Sequence, residues 1–98
     1  MKYTRNYIDT KVEYGTEIIK VYLALTALDY KIKFNKLYDG FQIVCPEKDW
    51  DVICHSGSYG HEDSLLEGMG GPFANEYDSV QGYLTAAETV RMILNYSA

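Results

Sequence analysis

The dipeptide Asp39-Gly40 places the strongest constraint on the fold, because it lies between two short strand-like runs. Aspartate followed by glycine is typical of a two-residue hairpin turn, whose central residues need positive φ angles. Residues 31–34 and 41–45 are therefore predicted to be antiparallel strands. Pro46 ends the second strand, since proline cannot donate a hydrogen bond to a sheet. Residues 50–55 follow as a third strand, so the pattern predicts a three-stranded antiparallel meander.

Three helices are expected around these strands. The first covers residues 16–30, with Thr16 as a potential cap and Glu17 near the positive helix end. Apolar residues extend almost all the way round this helix, which predicts a central position or cover by a second copy; we favour the central position. A short middle helix is predicted over residues 61–69. Thr85-Ala86-Ala87-Glu88 is a capping box that begins the C-terminal helix.

The rest of the chain leaves two points open. Residues 1–14 fit a helix loosely, and an extended conformation is the alternative. Residues 70–79 are expected to be an irregular loop, and residues 80–83 a short strand or a turn. With 98 residues, the chain has room for one domain with a core of modest size. We therefore expect a single α+β domain over residues 1–98, built from a three-stranded meander and three helices.

The ends and the cysteines predict a cytoplasmic protein. Residues 1–9 contain no apolar segment of the kind found in secretion signals. The longest unbroken apolar run, residues 21–25, is far shorter than the ~20 residues of a membrane span. We expect Cys45 and Cys54 to be reduced thiols that pack as small apolar side chains.

Side chains suited to metal binding or catalysis are present but poorly spaced. The cysteines and histidines form the pattern C-x8-C-H-x5-H, which is no standard zinc pattern. On a strand, Cys54 and His55 point to opposite faces. Ser56 lies beside His55, whereas catalytic triads are usually assembled from distant segments. We therefore expect no metal site, no cofactor and no enzymatic activity.

The glycine-containing loop of residues 57–61 leaves a ligand-binding alternative open. Gly57 and Gly60 would let backbone amides converge on a phosphate, and Tyr59 could stack on a nucleotide base. Glu62 and Asp63, which follow directly, would repel an anion. A small-molecule or nucleotide site in this loop therefore ranks below a protein-binding role.

Charge is divided unevenly along the chain. The formal net charge is -5, which argues against direct binding to nucleic acid. Residues 1–45 carry a net charge of +2 and residues 46–98 a net charge of -7. Most acidic residues of the second half fall in predicted turns and helix starts, where side chains reach water. This distribution favours a basic partner, and the alternative explanation is that the charge serves solubility.

Tyrosine is the second unusual feature, with 10 of the 98 residues. Tyr59 and Tyr77 lie in predicted loops beside acidic residues, and tyrosine is enriched in binding surfaces. The predicted partner-binding residues are the acidic side chains of three clusters and the aromatic residues beside them: Glu47, Asp49, Trp50, Asp51, Tyr59, Glu62, Asp63, Glu76, Tyr77 and Asp78. We expect these residues to share one exposed surface, with Trp50 and Tyr77 as its desolvated contact residues.

In size, isoelectric point, tyrosine content and acidic clusters, the chain resembles small acidic proteins of phages and mobile elements, of which the anti-CRISPR proteins are the best-known group. The clusters that carry this resemblance are Glu47-Lys48-Asp49-Trp50-Asp51, His61-Glu62-Asp63 and Asn75-Glu76-Tyr77-Asp78. Several proteins of that kind block RNA-guided nucleases by presenting carboxylates where DNA phosphates would lie. The resemblance implies a non-catalytic inhibitor of a bacterial defence protein, and a CRISPR effector is the expected target.

These observations favour an acidic binding protein that acts in the cytoplasm of a bacterial host. Its partner would be a basic protein with a nucleic-acid-binding surface, and neither nucleic acid nor a membrane is an expected direct partner. A homo-oligomeric structural or regulatory protein is the main alternative, with helix 16–30 packed against its copy. The nucleotide-binding loop of residues 57–61 is the second alternative.

Overall fold

The fold is a five-stranded antiparallel sheet in which each strand pairs with its neighbour along the chain. The computed structural model describes residues 14–97. The strands are β1 (Lys33–Leu37), β2 (Gly40–Cys45), β3 (Trp50–Cys54), β4 (Leu66–Gly70) and β5 (Val80–Leu84). Helix α1 (Gly15–Ala27) precedes the sheet and helix α2 (Ala86–Ser97) follows it; two 3-10 turns, His61–Asp63 and Gly71–Phe73, lie in the connections on either side of β4. The predicted α+β class is confirmed.

Alternation along the strands decides which face of the sheet is covered. On β3, Trp50, Val52 and Cys54 are buried, whereas Asp51 and Ile53 between them are half-buried. Successive strand residues point to opposite faces, so the buried set marks the face that packs against the helices. One hydrophobic cluster joins this face to both helices: Ile18, Val21, Leu25, Ile43, Cys45, Trp50, Val52, Cys54, Leu66, Phe73, Leu84, Ala86 and Ile93.

Helix α1 lies on the outside of the sheet, so the prediction of a central helix is wrong. Ile18, Val21 and Leu25 are fully buried, but Ile19 and Leu23 remain exposed. A helix in a two-layer fold buries only one of its sides. The helix is also shorter than the predicted range of 16–30, because the chain turns after Ala27 and Asp29 adopts a φ of 65°.

The first hairpin is confirmed, but its turn lies one residue earlier than predicted. Leu37 pairs with Gly40, so the two-residue loop consists of Tyr38 and Asp39. Tyr38 adopts a φ of 54°. Gly40 is required for a different reason: a Cβ atom there would overlap the carbonyl oxygen of Cys54 on the neighbouring strand. Glycine is thus needed at this position because β2 and β3 approach closely there, and not because the backbone adopts an unusual angle.

The predicted middle helix over residues 61–69 is wrong, and so is the prediction of only three strands. Only His61–Asp63 forms a 3-10 turn, and Leu66–Gly70 is strand β4. Leu66 and Gly68 are buried and Met69 is exposed, which is the alternation of a strand. Glycines at positions 68 and 70 also disfavour a helix. Residues 80–83, left open between strand and turn, belong to the fifth strand, Val80–Leu84.

The two helix starts had different outcomes. The capping box of α2 is confirmed: the backbone N–H of Thr85 donates to Glu88 Oε1 at 2.9 Å, and the backbone N–H of Glu88 donates to Thr85 Oγ1 at 3.1 Å. At α1, by contrast, the cap position is Tyr14, and Thr16 lies within the helix. Residues 1–13, for which helix and extended structure were both open, lie outside the described residues.

Strand β1 forms one edge of the sheet and is rich in lysine. Lys33 and Lys36 on the strand and Lys31 just before it are exposed. The Nζ atom of Lys36 lies 5.0 Å from the centre of the Phe41 ring.

Neither described helix combines the length and the apolar character that spanning a bilayer requires.

Candidate protein-binding surface

Sheet topology brings five of the predicted acidic residues to one end of the molecule. Trp50 pairs with both Cys45 and Gly70, so the turn of residues 46–49 and the loop of residues 71–79 leave the sheet at the same end. Four of the acidic side chains are exposed in these connections, and Asp51 is half-buried at the start of β3. We refer to this group as the acidic end: Glu47, Asp49, Asp51, Glu76 and Asp78.

The carboxylates of the acidic end form no salt bridges with the described basic side chains, although Lys31 and Lys48 line a hollow beside Glu47. The side chain of Asp51 accepts a hydrogen bond from Gln42 Nε2 at 3.0 Å, and Asp78 accepts one from the backbone N–H of Val80 at 3.1 Å. These bonds orient two carboxylates without adding a positive charge beside them.

Tyr77 is presented on a turn whose backbone is fixed by hydrogen bonds. Asn75 Oδ1 accepts the backbone N–H groups of Tyr77 at 2.8 Å and Asp78 at 2.9 Å. The N–H of Asn75 in turn donates to the carbonyl oxygen of Asp78 at 2.7 Å. Asparagine commonly stabilises turns in this way. The Tyr77 side chain is 89% exposed between Glu76 and Asp78, as expected of a contact residue.

The expectation of a single acidic surface needs correction, because Glu62 and Asp63 lie at the opposite end of the sheet. They belong to the β3–β4 connection, which leaves the sheet where Phe41 pairs with Cys54. Both side chains are exposed. Glu62 Oε1 lies 3.7 Å from His61 Nδ1. An antiparallel strand separates successive connections by its own length, so these two acids cannot join the acidic end.

Trp50 is buried and cannot act as the predicted surface contact. Its side chain is only 3% exposed and meets the Phe73 ring edge-on, with the ring centres 6.1 Å apart. Strand alternation explains the error, because Trp50 shares the helix-facing side of β3 with Val52 and Cys54. Its indole Nε1 is buried without a hydrogen-bond partner among the described residues.

The opposite side of the sheet carries a second set of accessible side chains that the sequence analysis did not identify. Both described helices pack on the other face, which leaves this side of β2, β3 and β4 partly exposed. We call it the open face and define it by Gln42, Val44, Asp51, Ile53, Glu67 and Met69. Glu67 and Met69 were missed because residues 61–69 were predicted to be helical. The alternation of residues 66–70 was the available signal.

A shallow hollow connects the open face to the acidic end. It has a volume of about 400 Å³, and Gln42, Val44 and Met69 line it together with Asp49, Asp51 and Ser79. Apolar residues from two strands and two acidic residues thus line one accessible site. Asp51 belongs to both the acidic end and the open face.

The loop of residues 57–61 uses its backbone amides internally. The N–H of Gly57 donates to His55 Nδ1, the N–H of Ser58 to the His55 carbonyl oxygen, and the N–H of Tyr59 to Glu67 Oε1. Convergent free amides are what a phosphate would require. Tyr59 is 60% exposed, but it lies in the β3–β4 connection with Glu62 and Asp63, so it does not share a surface with the acidic end as predicted. The N–H groups beside it already have acceptors.

Cys54 and Ser58, which could act as a metal ligand and a nucleophile, are buried and hydrogen-bonded to backbone carbonyl groups. Burial, and after it the charge of Asp39, raises the pKa of the Cys54 thiol to about 11, and Cys54 Sγ donates to the Leu65 carbonyl oxygen at 3.5 Å. The buried Ser58 hydroxyl donates to the His55 carbonyl oxygen. Among residues 14–97, no three His, Cys, Asp or Glu side chains are grouped closely enough to hold a metal ion.

Comparison with protein-family models, with curated proteins and with solved structures gives no match.

Proposed function

We propose that this chain is a non-catalytic acidic binding protein that occupies a basic nucleic-acid-binding surface of a bacterial defence protein. In this proposal the protein is phage-encoded, acts in the cytoplasm of the host cell, and has an RNA-guided nuclease of a CRISPR system as its target. The observation that carries the proposal is the acidic end, where five acidic residues lie at one end of the sheet and form no salt bridge with a described lysine or arginine.

The physical basis is competition for the arginines and lysines that bind DNA phosphates. A nucleic-acid groove gains affinity from several such contacts and from the counterions released when they form. Carboxylates on ordered connections can form the same charge-assisted hydrogen bonds. The hydrogen-bonded turn of residues 75–78 supports this role, because it fixes the backbone that carries Glu76, Tyr77 and Asp78. A rigid surface loses little conformational entropy when it binds.

The direct test is inhibition of target-DNA cleavage by a panel of purified RNA-guided nucleases. We expect the chain to inhibit at least one of them, and we expect E76K/D78K to raise the half-inhibitory concentration by about tenfold or more. The matched control is E62K/D63K, which reverses two acids at the opposite end and should inhibit like the original chain. Both variants are first checked for folding by circular dichroism.

Two results would contradict the proposal. If no nuclease in the panel is inhibited, an RNA-guided nuclease is not the target. If folded E76K/D78K inhibits as well as the original chain at moderate salt, the acidic end is not the contact surface.

A homo-oligomer is the second candidate, and the exposed apolar residues of α1 favour it. Leu23 is 59% exposed and Ile19 is 43% exposed one helical turn before it. Such a pair can pack against a second copy of the same helix. Sedimentation at two salt concentrations tests this candidate. A monomer at both concentrations removes it, whereas a dimer that Leu23→Glu dissociates supports it.

A further inference from the structure

We propose that the open face is the docking surface for a basic protein segment that carries apolar side chains beside its arginines. This inference rests on the proposed function, since both require a basic partner. It adds that the apolar residues of the sheet, and not the acidic end alone, hold that partner.

The open face is apolar at its centre and is covered by neither described helix, and the loop of residues 57–61 reaches its margin, where the Tyr59 N–H donates to Glu67 Oε1. Val44 on β2 and Ile53 on β3 are half-buried, and Met69 on β4 is 45% exposed. The buried residues of α1 and α2 belong to the core on the other side of the sheet. A sheet in a two-layer fold commonly leaves one face to water, and that face is then mostly polar. Here three adjacent strands contribute an apolar residue instead.

The hollow at the edge of this face has the chemistry that an arginine side chain requires. Val44 and Met69 provide apolar contacts for the aliphatic part of the side chain, while Asp49 and Asp51 provide carboxylates for the guanidinium. Gln42 holds Asp51 through the 3.0 Å hydrogen bond to Oδ2. Carboxylate pairs of this kind bind guanidinium groups with charge-assisted hydrogen bonds.

Charge complementarity selects a basic partner over a second copy. Asp51 and Glu67 lie on the face itself and Asp49 lies at its end, against one lysine, Lys33, which pairs with Val44 on the neighbouring edge strand. A symmetric dimer whose two-fold axis passes near Asp51 would bring these carboxylates toward the same carboxylates of the other copy. Like charges brought together in a desolvated interface are unfavourable. A segment that alternates basic and apolar residues can pair with the carboxylates of the open face and also pack against its apolar side chains.

The test uses the isotope-labelled full chain and two synthetic peptides of equal length and charge, one alternating arginine with leucine and the other arginine with serine. We expect the arginine–leucine peptide to bind about tenfold more tightly, which corresponds to the burial of a few methylene groups. Its binding should shift the backbone NMR signals of Val44, Asp51, Ile53 and Met69. Met69→Gln should weaken binding about tenfold, whereas Leu23→Gln, an equivalent change on an exposed helix position, should leave it unchanged.

Several results would overturn the inference, and they are distinguishable from failure of the proposed function. Equal affinity of the two peptides, no binding by either, or signal shifts confined to residues 61–63 would overturn the open face and leave the nuclease test of the acidic end unaffected. A dimer that Met69→Gln dissociates would assign the face to a second copy. Intramolecular contacts from residues 1–13 would assign it to the chain itself. If Met69→Gln fails to fold, Asp51→Asn serves as the second variant. We expect Asp51→Asn to weaken binding of the arginine–leucine peptide.

Discussion

Glu17 links two parts of the chain that are distant in sequence. Its Oε1 accepts the backbone N–H of Ala86 at 2.8 Å, at the start of α2, and its Oε2 accepts Lys20 Nζ at 2.9 Å. The bond from Ala86 is the largest cause of the lowered pKa of Glu17, and the bond from Lys20 follows. The Glu17 carboxylate on α1 therefore provides an acceptor for a backbone N–H in the first turn of α2, which has no acceptor within its own helix.

This contact predicts that acid destabilises the fold through Glu17. Its folded-state pKa lies below the ordinary value of 4.5, so its contribution to stability is present above that pH and is lost as the pH falls through the folded-state value. Urea unfolding across this pH range should show a smaller pH dependence in Glu17→Gln than in the original chain. Glu62→Gln, which changes an exposed carboxylate, is the control. An unchanged pH dependence in Glu17→Gln would contradict the prediction.

Cys54 should be unreactive in the folded protein. Its side chain is fully buried and the pKa of its thiol is about 11, so roughly one molecule in a thousand carries the thiolate at pH 8. Reaction with an aromatic disulfide reagent should be at least ~100-fold slower in buffer than in urea. The C45A variant isolates the signal of Cys54. Rapid reaction of this variant under native conditions would show that the site opens.

The elements that the sequence predicted well are those with local signals. The α2 capping box needs only residues 85–88, and the first hairpin needs only the runs around residues 38–40. Strand β4 was missed because its identity depends on partners at residues 50–53 and 80–84. Apolar residues at 65, 66 and 69 match a helical spacing, and pairing on both sides overrides that local preference.

A close contact with β4 predicts the effect of a glycine substitution. A Cβ atom at Gly68 would lie 2.5 Å from two carbon atoms of the Phe73 ring, and Phe73 is fully buried. Gly68→Ala should therefore lower the free energy of unfolding by about 1–3 kcal/mol, measured with urea. In a Phe73→Leu background the same change should cost less, because the smaller side chain leaves room. Equal costs in the two backgrounds would exclude the overlap as the cause.

At the scale of the whole molecule, the sequence identified the acidic residues but did not predict which of them lie at the same end of the sheet. Glu47, Asp49, Glu76 and Asp78 converge because alternate connections of a meander leave the sheet at the same end. Glu62 and Asp63 diverge for the same reason. The burial of Trp50 and the exposure of Met69 depend on which face the helices cover, and that choice involves every element at once.

The concentration of charge predicts a dependence of stability on salt. Carboxylates at the acidic end, which form no salt bridges with the described basic residues, repel one another, and salt screens this repulsion. The Tm should therefore rise between low and physiological ionic strength. The variant E47Q/D49N/E76Q/D78N should have a higher Tm at low salt and a weaker salt dependence, whereas E62Q/D63N should change both less. A Tm of the original chain that falls on adding salt would contradict the prediction.

The lysines of β1 have a consequence for how the protein behaves when it accumulates. An outer strand exposes backbone groups that can recruit another strand, and charged side chains along it oppose that recruitment. Lys31, Lys33 and Lys36 would face their own copies if two such strands joined in parallel and in register. At high protein concentration, the charge of β1 thus disfavours pairing between the β1 edges of two molecules. This opposes the growth of a continuous intermolecular sheet from that edge.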